Sequence, residues 1–140
     1  MSLSIRNQLS GTVLTVTPGE VMSTVVVRLS GGQTLTAAIT VEAVHDLGIT
    51  VGAPVRALVK STEVALTTGP VDGLSIRNRL PGTVVAVTTG GAMAGVKVAV
   101  PGAELTAAIT KDAATDLGLA AGSEVTALIK STEVALAAEG

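Results

Sequence analysis

Not one of the 140 residues is cysteine, phenylalanine, tyrosine or tryptophan. The missing cysteines exclude disulfides, thiolate catalysis and cysteine-ligated metals together. The missing aromatics leave no side chain on which a nucleic-acid base would stack. Charge is scarce too, at 14% of residues with a formal net of −2, so there is no basic track for a phosphate backbone. The longest uncharged run, between Arg79 and Lys97, carries Pro81, Gly82, Gly90, Gly91 and Gly95, a poor composition for a membrane helix. The opening MSLSIRN has neither the basic nor the apolar region of a secretory signal. The expectation is a cytoplasmic protein with no membrane and no nucleic-acid partner.

What is present is apolar and small. Hydrophobic residues make up 47% of the chain and the mean hydropathy is +0.62, which describes a folding chain rather than a disordered one. Valine, alanine, leucine and isoleucine dominate, and such cores suit strands. The sequence is also one unit written twice. LSIRNQLSGTV at Leu3 returns as LSIRNRLPGTV at Leu74, LTAAIT at 35–40 recurs at 105–110, and KSTEVAL at 60–66 recurs at 130–136. The offset falls from 71 to 70 where LSGGQT becomes VPGAE, which places an indel-tolerant turn between two strands. TTGPVDG has the content of a linker. The division expected is a first module at 1–67, a linker at 68–73 and a second module at 74–140.

Positions apolar in both copies mark the core. Val25, Val27 and Leu29 align with Val96, Val98 and Val100, and Val55, Ala57 and Val59 with Val125, Ala127 and Ile129. Both sets have the period of two that buries one face of a strand. TVEAVHDLG and TKDAATDLG fit short helices capped by Thr40 and Thr110 and closed by Gly48 and Gly118. GGAMAGVK at 90–97 lacks the spacing of a phosphate-cradling loop and reads as a hairpin turn. Each module is therefore all-β, with about five short strands and one short helix. That inventory fits a small closed barrel of the OB type, and other small barrels as well. A module of about 65 residues is marginal alone. Leu58 and Leu128, apolar in both copies on the nominally outward face, are the residues expected beneath a subunit contact. An oligomer is expected.

Only two basic positions persist between copies, Arg6 with Arg77 and Lys60 with Lys130. Each neighbours a repeated hydroxyl: Ser4 and Ser75 before the arginines, Ser61 and Ser131 after the lysines. Thr40 and Thr110 stand where helix N–H groups favour an anion. Guanidinium, ammonium, hydroxyl and backbone donors can together surround an oxyanion.

SIRNQLSGTV, LTAAIT and LVKSTEVAL together resemble the Mop module of the molbindin family, and two such modules in tandem resemble its di-Mop members. The resemblance implies an OB-like barrel, a homotrimer, and binding of molybdate or tungstate between modules for intracellular storage or homeostasis, with no further cofactor. It places the oxyanion ligands on Ser4, Arg6, Thr40, Lys60 and Ser61, and on Ser75, Arg77, Thr110, Lys130 and Ser131. Where the family pattern has alanine between serine and arginine, this chain has Ile5 and Ile76, a change that removes no donor.

Other readings carry less. His45, the single histidine, aligns with Thr115 and reads as a surface residue. Lys60 beside Ser61 suggests a nucleophile pair, but neighbours on a strand point to opposite faces. No base, metal or cofactor motif supports a reaction, so an enzyme is not expected. Single-stranded nucleic-acid binding, common among OB barrels, lacks the residues it needs. The same module also occurs as an anion-sensing accessory of transporters and regulators. The chain begins two residues before its first motif and ends four after its last, from which a free-standing binding protein is expected.

Overall fold

The structure, a computed structural model, describes residues 2–139. Ten strands run as β1 (Asn7–Pro18), β2 (Met22–Leu29), β3 (Thr34–Thr40), β4 (Pro54–Val59), β5 (Ala65–Thr67), β6 (Asn78–Thr89), β7 (Met93–Val100), β8 (Ala103–Thr110), β9 (Glu124–Ile129) and β10 (Ala135–Ala138). Helices α1 (Val41–Asp46) and α2 (Lys111–Asp116) follow β3 and β8, and 3-10 turns occupy Ser61–Glu63 and Ser131–Glu133.

The alternation read from the sequence is the alternation of burial. Val25, Val27, Val96 and Val98 are fully buried, as are Ala57, Val59, Ala127 and Ile129. β1 and β6, at 12 residues each, bend where their registers slip between Val13 and Thr15 and between Val84 and Ala86. Such bulges increase local twist and let a long strand curl into a half-barrel. Gly11 and Gly82 permit that closeness: a Cβ at either position would lie 2.5 Å from the nearest atom of the neighbouring strand. Thr40 and Thr110 cap their helices, accepting from Ala43 and Ala113 N–H at 3.1 Å, and Gly48 and Gly118 close them at φ +63° and +62°.

The two sheets are not the two sequence copies. One is ordered β10-β4-β1-β2-β3 and the other β5-β9-β6-β7-β8. The last strand of each copy therefore crosses over: Ala135 pairs with Leu58, and Ala65 with Leu128. The division at 1–67 and 74–140 describes the repeat, while each sheet takes its fifth strand from the other repeat. The buried residues accordingly form one cluster drawn from both copies. The stabilisation expected from a partner chain is partly supplied within the chain.

Leu58 and Leu128 correct an expectation. Both are buried, at 8% and 6% exposure. Leu128 lines a depression with Thr62, Val64 and Ala65 of the other copy, so the contact sequence analysis reserved for another subunit is made inside the chain. The indel turns also meet. Gln33 donates to the Pro101 carbonyl at 3.0 Å, and a Cβ at Gly31 would lie 1.9 Å from that same oxygen.

Candidate functional site

The SIRN segments lead into β1 and β6, and their asparagines fix them. Asn7 and Asn78 are 2% and 3% exposed. The Asn7 amide donates to the Thr106 carbonyl and accepts from the Thr106 N–H, both at 2.8 Å. Asn78 does the same to Thr36 at the same distances. β3 and β8 are edge strands, and each asparagine pairs an edge residue as a neighbouring strand would.

That anchoring sets the position of the charges. Asn7 pairs with Val59 across β1 and β4, and Asn78 with Ile129 across β6 and β9. One step beyond each pair stand Arg6 with Lys60, and Arg77 with Lys130. All four are exposed. Among the described residues, the ion pairs are Arg56 with Glu139, and Lys97 with Glu104, so none of the four retained cations has a carboxylate within 4.0 Å. Arg6 instead donates to its own segment, to the Leu3 carbonyl at 3.3 Å. These exposed cations are left open to an anion.

The two copies share what surrounds the second pair. One open depression is lined by Ile76, Ala108, Ile109, Leu128 and Lys130 of the second copy and by Thr62, Glu63, Val64 and Ala65 of the first. Segments next to Arg77, Thr110 and Ser61 therefore converge with Lys130, and the turn holding Ser61 packs on β8. Its counterpart, the turn holding Ser131, packs on β3. Ser61 does not continue the strand after Lys60, as the strand reading of that pair assumed; it opens the 3-10 turn. Its hydroxyl is buried without a hydrogen-bond partner, whereas Lys60 faces solvent. Ser4 and Ser75 are exposed.

Thr40 is placed differently. Its hydroxyl is occupied as a helix cap, and it shares a dent with Glu20, Glu42 and Asp46. Glu42 and Asp112 already supply negative charge to the first helical turns, and each helix has only six residues. The two threonines are thus chiefly structural in the isolated chain. His45 is exposed at the end of α1.

Asn7 and Asn78 carry no charge and stand outside the set of residues expected from the retained cations. The signal was there, since both asparagines repeat at the position after the arginine. The residue two beyond each arginine stands outside that set as well. Gln8 donates to the Ile5 carbonyl at 3.0 Å and accepts from Arg56 at 3.0 Å. Arg79 at the matching position donates to three carbonyls.

Residues 3–66 and 74–136 each match the TOBE domain. The chain belongs to the TOBE-domain family. With the solved structure of the cytoplasmic molybdate-binding protein ModG, in its molybdate-bound form, it shares 38% identity and a TM-score of 0.96 over 99% of this chain and all of that one. The molybdenum-pterin-binding protein MopA of Rhodobacter capsulatus is 40% identical over 98% of this chain and 52% of its own length. The molybdenum transport protein ModE of Herbaspirillum seropedicae is 36% identical over 99% of this chain and 52% of its own. The chain thus spans about half the length of these curated relatives and the whole of ModG. As in that fold, two TOBE units make a mostly β molecule of two curled five-stranded sheets. No helix among the described residues is long and apolar enough to cross a membrane.

Proposed function

We propose that this TOBE chain binds molybdate or tungstate at the two paired-cation positions and serves the intracellular storage or homeostasis of that oxyanion. The observation that carries the reading is that Arg6 and Lys60, and Arg77 and Lys130, stand just outside the Asn7–Val59 and Asn78–Ile129 pairs, exposed and, among the described residues, without a carboxylate partner. Ser4, Ser61, Ser75 and Ser131 add hydroxyl donors to these cations. The names of MopA and ModE and the molybdate held by ModG support the choice of anion.

The chemistry of the donor set favours that choice. Molybdate is a fully deprotonated dianion at neutral pH and accepts from every side. Hydrogen phosphate brings a proton that the serine, arginine and lysine donors leave unpaired, a loss of roughly 1–3 kcal/mol, and among the described residues Glu63 is the one carboxylate on the lining of the Lys130 depression able to accept it. Three or four charge-assisted hydrogen bonds of roughly 1.5–3 kcal/mol each offset association costs to about micromolar affinity. The role is binding, not catalysis.

The depression around Lys130 is open, and the donors of one copy cover only part of it. We place the complete sites between modules of a homotrimer, each chain supplying part of every shell. Native mass spectrometry with molybdate, sulfate and phosphate in parallel tests this. A trimer that gains several molybdates and neither other anion is expected; a monomer indifferent to all three overturns it.

The half-length match to ModE favours a second reading, in which the same chemistry senses the anion for a longer regulator or transporter. The mass of the protein in its own cells separates the two. A species near 13.7 kDa fits storage, and one about twice that size fits sensing.

A further inference from the structure

The two donor clusters of one chain are not equally built. Arg79 is half-buried, and its guanidinium donates to the Ile76 carbonyl at 3.0 Å through Nε, to Leu74 at 2.8 Å through Nη2 and to Val71 at 3.4 Å through Nη1. One planar fork thus gathers residues 71–76 around itself, and Ser75 lies between two of the carbonyls it holds. In the first copy Gln8 stands in its place with one such bond, to Ile5, and its carbonyl oxygen is turned to Arg56; the Leu3 carbonyl is held at 3.3 Å by Arg6, so there the retained arginine is itself spent on its own segment. The rest of the two segments, LSIRN, is identical.

We propose that Arg79 is a positioning residue that preorders the second SIRN segment, so that the cluster of Ser75, Arg77 and Lys130 takes the oxyanion more tightly than the cluster of Ser4, Arg6 and Lys60. This rests on the oxyanion reading above. The reason is conformational. A segment whose carbonyls are already tied loses less freedom when its hydroxyl and guanidinium close on a ligand, and preorganisation appears directly as affinity. Arg79 spends its donors on carbonyls and so acts on the site through Ser75 and Arg77 rather than by touching the anion. Lysine cannot replace it, because an ammonium lacks the rigid fork that reaches several carbonyls at once.

The experiment is calorimetric titration of the full chain with sodium molybdate, for the wild type, Arg79→Gln, Arg79→Lys and Gln8→Arg. Two classes of site in equal number are expected for the wild type. In Arg79→Gln the tighter class weakens by about tenfold, the scale of one net hydrogen bond, and merges with the other, whose affinity is unchanged. Arg79→Lys keeps the charge and behaves as Arg79→Gln. Amide hydrogen exchange over 71–76 quickens in both while the melting temperature holds, which separates local ordering from a general loss of stability. A wild-type profile retained by Arg79→Lys overturns positioning in favour of long-range charge. A single class in the wild type, or no change in Arg79→Gln, overturns the inequality itself while leaving the oxyanion reading intact. A wild type that takes up no molybdate overturns both. Gln8→Arg tightens the weaker class toward the other; a Gln8→Arg chain that folds and leaves the weaker class unchanged overturns ordering by the guanidinium fork.

Discussion

Asn7 grips Thr106 by both hands of its amide, accepting from the N–H and donating to the carbonyl of one residue in the other repeat, each at 2.8 Å. Asn78 and Thr36 form the mirror image. The residue that follows the retained arginine is therefore the one that fastens the repeats and fixes where that arginine stands.

Asn7→Ala and Asn78→Ala each leave a backbone donor and acceptor of an edge strand partly buried and unpaired. At about 1–3 kcal/mol for an orphaned group, each variant loses about 2–4 kcal/mol in urea unfolding. Arg28→Ala, at an exposed position, stays within about 0.5 kcal/mol. A change below that level in both asparagine variants contradicts the fastening role.

Removing a retained cation separates binding from stability. Arg6→Ala and Arg77→Ala each weaken molybdate binding by about tenfold or more at the affected site, the scale of a charge-assisted hydrogen bond, while Arg28→Ala leaves it unchanged. Without ligand, the same variants are as stable as the wild type within about 0.5 kcal/mol, because both arginines are exposed and, among the described residues, have no carboxylate partner. Calorimetry and thermal melts read the two effects, and equal affinities for all three variants refute the assignment.

Leu136 belongs by sequence to the second repeat and by packing to the first sheet, where it pairs with Ala57. Leu136→Ala, at a site 9% exposed, costs about 2–4 kcal/mol. Its loss of amide protection falls first on β4 and β1 rather than on β9 and β6. Protection lost first from β9 places the strand exchange in doubt.

Gly31→Ala drives a methyl into the Pro101 carbonyl and destabilises by about 1–3 kcal/mol through overpacking at the meeting of the repeats. Gly91→Ala, with open space around it, is neutral. Denaturant midpoints of the two variants decide the matter, and equal midpoints count against a tight junction there.

The parts legible in the sequence were those governed by near neighbours. Period two at Val25, Val27 and Leu29, the caps at Thr40 and Thr110, and the turn at the indel each depend on a few consecutive residues, and the structure has them. The exchange of β5 and β10 was not legible for a physical reason. Both strands begin inside the same KSTEVAL, at Ala65 and at Ala135, so either enters either sheet with the same Ala-Leu pair, and local sequence carries no preference. Leu58 and Leu128 were misplaced by the same blindness, since what covers Leu128 arrives from the other repeat. At the candidate site the cations were found by their repetition. Asn7, Asn78 and Arg79 were passed over because their partners lie on backbone atoms, which have no letter in the sequence.

The exchange also has a consequence in time. Leu58 waits for Ala135, more than seventy positions downstream, so at about 5–20 residues per second the ribosome leaves the first sheet unfinished for several seconds. During that interval the outer edge of β4 is bare, the state in which sheets recruit strangers. β5 leaves the ribosome first and shares its opening Ala-Leu with β10. A mutation that slows synthesis between the repeats lengthens the exposure of that edge without touching any contact of the finished molecule.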